Sequence, residues 1–262
     1  DVASLTAFFE SELLPLQDAP AGAEKLNTLL SQLVDSLNAL LVKASTIGSY
    51  LYAITSTDSF DKAAEQLQSK FHIGLLPLQN LNTRIVAWLG KIADQQPEAL
   101  ELPGSARDHA FILREYAEQS QYQMSEAEEE LANELSLSGG SAWGNLQGTL
   151  TSQKDVQFEL DGKLQTLPLP ALINLRSHPS ADVRERAYKL EMATFEEMKE
   201  ALAACLNGVK GEVNTLDRKR GREDCLHSSL DMARIDRATL EAMIEAIKDA
   251  LPMFRDYFRA KA

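Results

Sequence analysis

Between Pro179-Ser180 and Gly221, Val183, Ala187, Leu190, Thr194, Met198, Leu202, Cys205, Val209, Val213 and Leu216 recur at three- and four-residue steps. An α-helix turns once every 3.6 residues, so this spacing places all ten on one face of a single helix. About forty residues at 1.5 Å rise make a rod of roughly 60 Å, and few compact domains need one. Gly208 and Gly211 are the points at which it can bend, and Gly221 suits a left-handed cap at its end.

The same period governs most of the chain. From Ala23 to Thr55, Leu26, Leu30, Leu33, Leu37, Leu40, Ala44, Ile47, Leu51 and Ile54 predict a second long amphipathic helix. Asp58 is placed to cap the next, carried by Phe60, Ala64, Leu67 and Phe71, and the stripe resumes at Leu81, Ile85, Trp88, Leu89 and Ile92. Proline removes a backbone donor and clashes with the preceding turn, so a kink or break is expected near Gly74 and Pro77. Gln95 to Gly104, with Pro97 and Pro103, reads as a connector. A helix around Arg107 to Gln121 follows, and Ser125-Glu126-Ala127-Glu128 has the form of a capping box opening another. Gly139-Gly140 stops that helix, Ser141 is placed to cap its successor, and Trp143 to anchor it in the core. A last helix is expected from Asp236, with Leu240, Met243, Ile244, Ile247, Leu251, Phe254 and Phe258 on one face.

One segment departs from this period. Val156, Phe158 and Leu160 alternate with polar residues, and Asp161-Gly162 provides the positive-φ turn of a tight hairpin before the return at Lys163 to Leu167. The predicted class is therefore all-α, with long antiparallel helices and one small β-hairpin. No fixed-period repeat accompanies it, which disfavours a solenoid. The domain reading is a helical domain over 1–104, a small helical domain with the hairpin over 105–178, and a third beginning at 179 and running to 262.

Composition narrows the function. With 44% hydrophobic and 25% charged residues the chain can bury a substantial core, and a formal charge of −13 repels phosphate backbones and anionic lipid, so neither nucleic acid nor membrane is an expected partner. The longest stretch without Asp, Glu, Lys or Arg, Ala44 to Thr57, is too short to span a bilayer. Cys205 and Cys225 form neither a zinc-ribbon pattern nor a disulfide framework, which fits a cytoplasmic protein. The start at Asp1 and the end at Ala262, with no stop signal after an apolar helix, read as a piece of something longer.

Candidate chemistry is sparse. His72, His109, His178 and His227 lie far apart, and none has a second histidine four residues away, so each reads as a surface or packing residue. Gly139-Gly140-Ser141-Ala142-Trp143 lacks the second glycine and the preceding strand of a nucleophile elbow. Glu126, Glu128, Glu129 and Glu130 fall in the first turn of a capped helix, where negative charge complements the dipole. Arg218-Lys219-Arg220 with Arg222 lie at the end of the long helix, where cations serve as caps or salt-bridge partners. No catalytic, cofactor-binding or metal-ligating residue is assigned.

The order of the elements resembles the oligoendopeptidase F family of zinc metallopeptidases, relatives of the thimet-oligopeptidase-like enzymes. The resemblance runs from Ser125 through Lys261. It is carried by Leu-Ser-Gly-Gly-Ser-Ala-Trp-Gly-Asn-Leu at 137–146, the Phe158 to Leu167 hairpin, Asp-Val-Arg-Glu-Arg-Ala-Tyr at 182–188, Arg218 to Arg222, and Pro-Met-Phe-Arg-Asp-Tyr-Phe-Arg-Ala-Lys at 252–261. The helical first half agrees only in style. The resemblance implies a cytoplasmic enzyme that cleaves short peptides in a deep channel, with a His-Glu-x-x-His helix and a downstream glutamate holding zinc. This chain contains no His-Glu pair, so no zinc ligand or catalytic base is carried onto it. It implies further that 179–262 opens the catalytic domain and that the chain forms channel wall and size filter, inactive alone, with the remaining catalytic domain as partner. The reading of a different class is a non-catalytic helical scaffold or peptide-binding module. An exposed apolar face on the last helix distinguishes the first; a closed polar surface, the second.

Overall fold

The computed structural model describes residues 1–92 and 97–261; Gln95 and Gln96 of the expected connector lie outside the described residues. The chain divides into two compact units, Asp1–Val213 and Asn214–Ala262, with the boundary falling inside its longest helix. The two-stranded hairpin is the β-structure among the described residues, and helices make up the rest.

In the first unit, α1 (Val2–Phe8) runs on through a wide turn, Phe9–Leu13, and a tight one, Leu14–Gln17, against α2 (Ala23–Thr57) and α3 (Lys62–Ile92). Leu26 and Leu30 lie near Leu89 and Ile92, Leu37 and Leu41 near Leu78, and Gly48 near Phe71. Partner numbers fall as α2 rises, so the two helices are antiparallel. Their seam with α1 buries Phe9, Leu13, Leu33, Leu81, Ile85 and Trp88 almost completely. Phe9 meets Trp88 edge to face with centroids 6.0 Å apart, a favoured aromatic arrangement.

Three local expectations are corrected. Asp58 does not cap α3; it closes α2 and binds the Phe60 amide, while Asp61 accepts from the amides of Ala63 and Ala64. The helix therefore starts three residues later than the acidic signal nearest the stripe suggested. Nor does α3 break near 74–77: Pro77 sits on its exposed side inside one continuous helix. Burial of Leu78, Leu81, Ile85, Trp88 and Leu89 outweighs one lost hydrogen bond. The expected helix over 107–121 is divided into α4 (Ser105–Asp108) and α5 (Ala110–Gln119), with His109 between them at φ −110°.

The connector is fastened rather than loose where it is described. Asn27 of α2 donates from Nδ2 to the carbonyls of Ala99 (2.8 Å) and Leu102 (3.1 Å), and Ser31 Oγ accepts from the Ala106 amide at 3.0 Å. Gly104 has φ +145°, and a Cβ there would sit 2.8 Å from Ser31 Oγ, so the close approach requires glycine.

α6 (Glu126–Ser138) opens on the capping box, with the Ser125 hydroxyl accepting from the Glu128 amide and the Glu128 carboxylate accepting from the Ser125 amide. α7 (Gly140–Ser152) follows at once. Ser141 does not cap it: the Gly140 amide donates to the Glu212 carboxylate, brought in from the long helix. Then β1 (Asp155–Leu160) and β2 (Lys163–Pro168) pair from Asp155↔Pro168 to Leu160↔Lys163 around Asp161 (φ 53°) and Gly162 (φ 72°), the positive-φ pair such a turn needs. Val156 and Phe158 point into a second core with Leu169 and Leu172 of α8 (Leu169–Asn174) and Val183 and Ala187 of α9.

α9 (Ala181–Lys219) is the rod the periodicity predicts, 39 residues long and unbroken at Gly208 and Gly211. In the second unit, Gly221 at φ 71° turns the chain into α10 (His227–Ala233), and α11 (Arg237–Lys261) follows. Asp236 accepts from the Thr239 amide at 2.7 Å, as an N-terminal cap should.

Candidate functional site

The four histidines serve local ends and do not meet. His109 is engaged on both nitrogens, with the Ser105 carbonyl (3.0 Å) and the Asn38 amide (3.2 Å). His178 accepts the Ser180 amide and His227 the Glu223 amide, each closing a turn, and His72 stacks loosely on Phe71. Among the described residues no three His, Cys, Asp or Glu side chains converge as a metal ion would need. The zinc implied by the resemblance thus finds no ligand set there, and no chemical step is derived through it. No helix among the described residues is long and apolar enough to cross a membrane.

The acidic run does not form a catalytic cluster. Glu128 belongs to the capping box, Glu126 faces Arg84 at 3.2 Å, and buried Glu129 accepts the Met124 amide at 3.0 Å. At the other end of the rod, Arg222 pairs with Asp231, and Arg237 pairs with Asp224 at 2.7 Å. The Asp224 carboxyl is held below its ordinary range first by the Leu226 amide and then by Arg237, while Asp224 raises the Arg237 guanidinium in return. Asp236 is lowered chiefly by the hydrogen bonds of Thr239. These cations therefore stitch a turn together, as their position at the helix end suggested.

Trp143 is not anchored in a core. It remains 37% exposed and lies across α9 at Gly208, where a Cβ would come within 2.3 Å of the indole. Together with the Glu212–Gly140 bond, this seats α7 on α9 at two points. A groove of about 500 Å³ between α2, α3, α5 and α6 is lined by Leu37, Leu41, Leu78, Asn82, Tyr116 and Asn133, with no charged side chain among its lining residues.

The sequence reading missed Asn27, Ser31, Glu191 and Glu212. Glu191 is 1% exposed and receives the Arg176 guanidinium from Nε and Nη2, and that bond raises Arg176 above its ordinary value. Its sequence signal was an acid inside the apolar period of α9, between Ala187 and Thr194. Asn27 and Glu212 carry no such signal, because their partners are backbone groups more than seventy residues away.

The feature most relevant to function is an uncovered surface. No residue of α11 is buried; Met243, Ile247, Phe254, Tyr257 and Phe258 are each 46–62% exposed. Soluble surfaces carry scattered apolar residues, but a helix-long apolar stripe marks a contact face.

A helical stack with one hairpin, a 39-residue rod and a bare apolar helix defines the class: the helical front portion of a larger peptidase fold. The chain is related to the oligoendopeptidase F family, whose model, described as Oligopeptidase F, matches residues 89–154. That match takes in the 137–146 segment and begins upstream of the resemblance read from sequence, while the segments from 182 onward lie outside it. In fold the chain is similar to the crystal structure of oligoendopeptidase-F from Enterococcus faecium, with a TM-score of 0.73 at 13% identity, covering 98% of this chain and 50% of that one. A structure titled as a putative oligoendopeptidase F aligns at TM-score 0.48 and 17% identity, over 88% of this chain and 37% of that one. Comparison with curated protein sequences gives no match. The chain spans about half the length of the Enterococcus enzyme it matches.

Proposed function

We propose that these residues are the N-terminal portion of a cytoplasmic, zinc-dependent oligoendopeptidase that hydrolyses short peptides. In this reading they build one wall of a deep channel and filter substrates by size, while the zinc ligands and general base come from a following segment. The catalytic domain begins at about 179, preceded by a helical domain over 1–104 and a smaller one over 105–178. The single observation that carries the reading is the fold correspondence over 98% of this chain with half of an oligoendopeptidase F. Two features support it: the family match over 89–154, and the apolar face of α11, the surface on which the remainder of a catalytic domain would pack.

The zinc part rests on chemistry the missing portion must supply. Two imidazoles at i and i+4 share a helix face, and the metal lowers the pKa of its bound water. The test is the parent reading frame beyond Ala262. A His-Glu-x-x-His segment downstream, and chelator-sensitive peptide cleavage by the longer polypeptide, are expected; a frame with neither overturns the proposal. The 262 residues alone are expected to cleave nothing.

A further inference from the structure

The bare face of α11 has a self-complementary pattern. Leu240, Ile244, Ile247, Leu251, Phe254 and Phe258 follow one another at alternating steps of four and three, the spacing of a helix-pairing seam. The two flanks of that seam differ. One carries Glu241, Lys248 and Arg255; the other carries Met243, Ala250 and Tyr257. A parallel partner of the same sequence would set the charged flank against the apolar one. An antiparallel partner sets charged against charged and apolar against apolar.

The register follows from the seam. Pairing Leu240 with Phe258, Ile244 with Phe254 and Ile247 with Leu251 of a second copy places Glu241 opposite Arg255, twice by symmetry. Met243 then faces Tyr257, and Ala250 meets its own copy at the two-fold axis, where a small side chain permits close approach. The mismatch is Lys248 against its copy, and each Lys248 is already paired with Glu245 at 2.7 Å. Pro252 lies off the seam, on the outer side. With the seam and apolar-flank side chains 40–62% exposed between Met243 and Phe258, each copy would bury on the order of 700 Å², close to one side of a standard interface.

We propose that the 262-residue chain associates as a two-fold dimer through α11 in this antiparallel register, its partner being a second copy of itself. The inference goes beyond the peptidase reading and does not depend on it. In a longer polypeptide, a covalently attached catalytic segment would compete for the same face with the advantage of high effective concentration.

Sedimentation equilibrium on the purified chain tests this. A reversible dimer is expected. Glu241→Arg and Arg255→Glu should each weaken it by about tenfold, since each sets two like-charge contacts across the interface, and the double reversal should restore it to within a few-fold. Ala250→Cys in a Cys225→Ser background should cross-link quantitatively on mild oxidation. All four sites are solvent-facing on a helix that buries none of its residues, so folding is not at stake, and circular dichroism checks it. A monomer at all concentrations, an open-ended aggregate, or a dimer indifferent to both reversals and not cross-linked at 250 overturns the proposal. Any of these leaves the peptidase reading untouched, because that is read from cleavage by the longer polypeptide.

Discussion

Replacing Asn27 with leucine removes the two hydrogen bonds that tie the connector at 97–104 to α2 while nearly preserving side-chain volume. Asn27 is 7% exposed, and its amide donates to Ala99 O at 2.8 Å and Leu102 O at 3.1 Å. Each net bond contributes about 0.5–1.5 kcal/mol, and a carbonyl left dry costs somewhat more. The expected loss is therefore about 2 kcal/mol, with little offset from the leucine, since the site is already filled. The assay is urea unfolding followed by fluorescence of Trp88, in the same core, in a Trp143→Phe background. Hydrogen exchange should localise the damage: amides from Glu101 to His109 should lose protection more than those in the middle of α3. Gly104→Ala should act on the same junction, because its Cβ would meet Ser31 and Asn27 at 2.8 and 3.1 Å, and the two losses should be less than additive. A loss under about 0.5 kcal/mol, or strict additivity with Gly104→Ala, would refute the claim that this junction holds the connector in place.

Pro77→Ala should stabilise the first unit by about 2 kcal/mol in the same assay, since it returns a hydrogen bond to an otherwise intact helix. Gly208→Ala should leave stability nearly unchanged, because about 1 kcal/mol of helix propensity offsets lost packing; Trp143 emission should nevertheless shift to the red as the indole is displaced. Asp224 and Asp236 have folded-state values below the ordinary carboxylate range, so their contribution is present above that range and lost as pH falls through it. Protection at the start of α11 should therefore decline below about pH 4, and Asp236→Ala should remove that pH dependence without altering protection in α2.

Much of the fold was legible because it rests on local pattern. The α2 and α9 stripes, the capping box at Ser125 and Glu128, and the Asp161-Gly162 turn depend on residues within a few positions of one another, and each appears where the periodicity places it. The errors arise where a distant group decides. Ser141 lost its capping role to Glu212, seventy-one positions on, and Trp143 found Gly208 rather than a core. Pro77 was read by its local cost, whereas the surrounding helix is held by the buried seam from Leu78 to Ile92. The candidate site was legible mainly as a pattern that fits no site: the histidines are dispersed in sequence and remain so in space.

The central claim is that these residues form the front portion of a metal-dependent oligopeptidase. Its most direct test is cleavage of a graded series of fluorogenic peptides by the polypeptide extended past Ala262, with and without a zinc chelator. The account predicts turnover of short peptides, falling off steeply with length, absent for folded proteins, abolished by chelation and restored by zinc. Cleavage that ignores the chelator, or no cleavage by a folded extended chain, would contradict it.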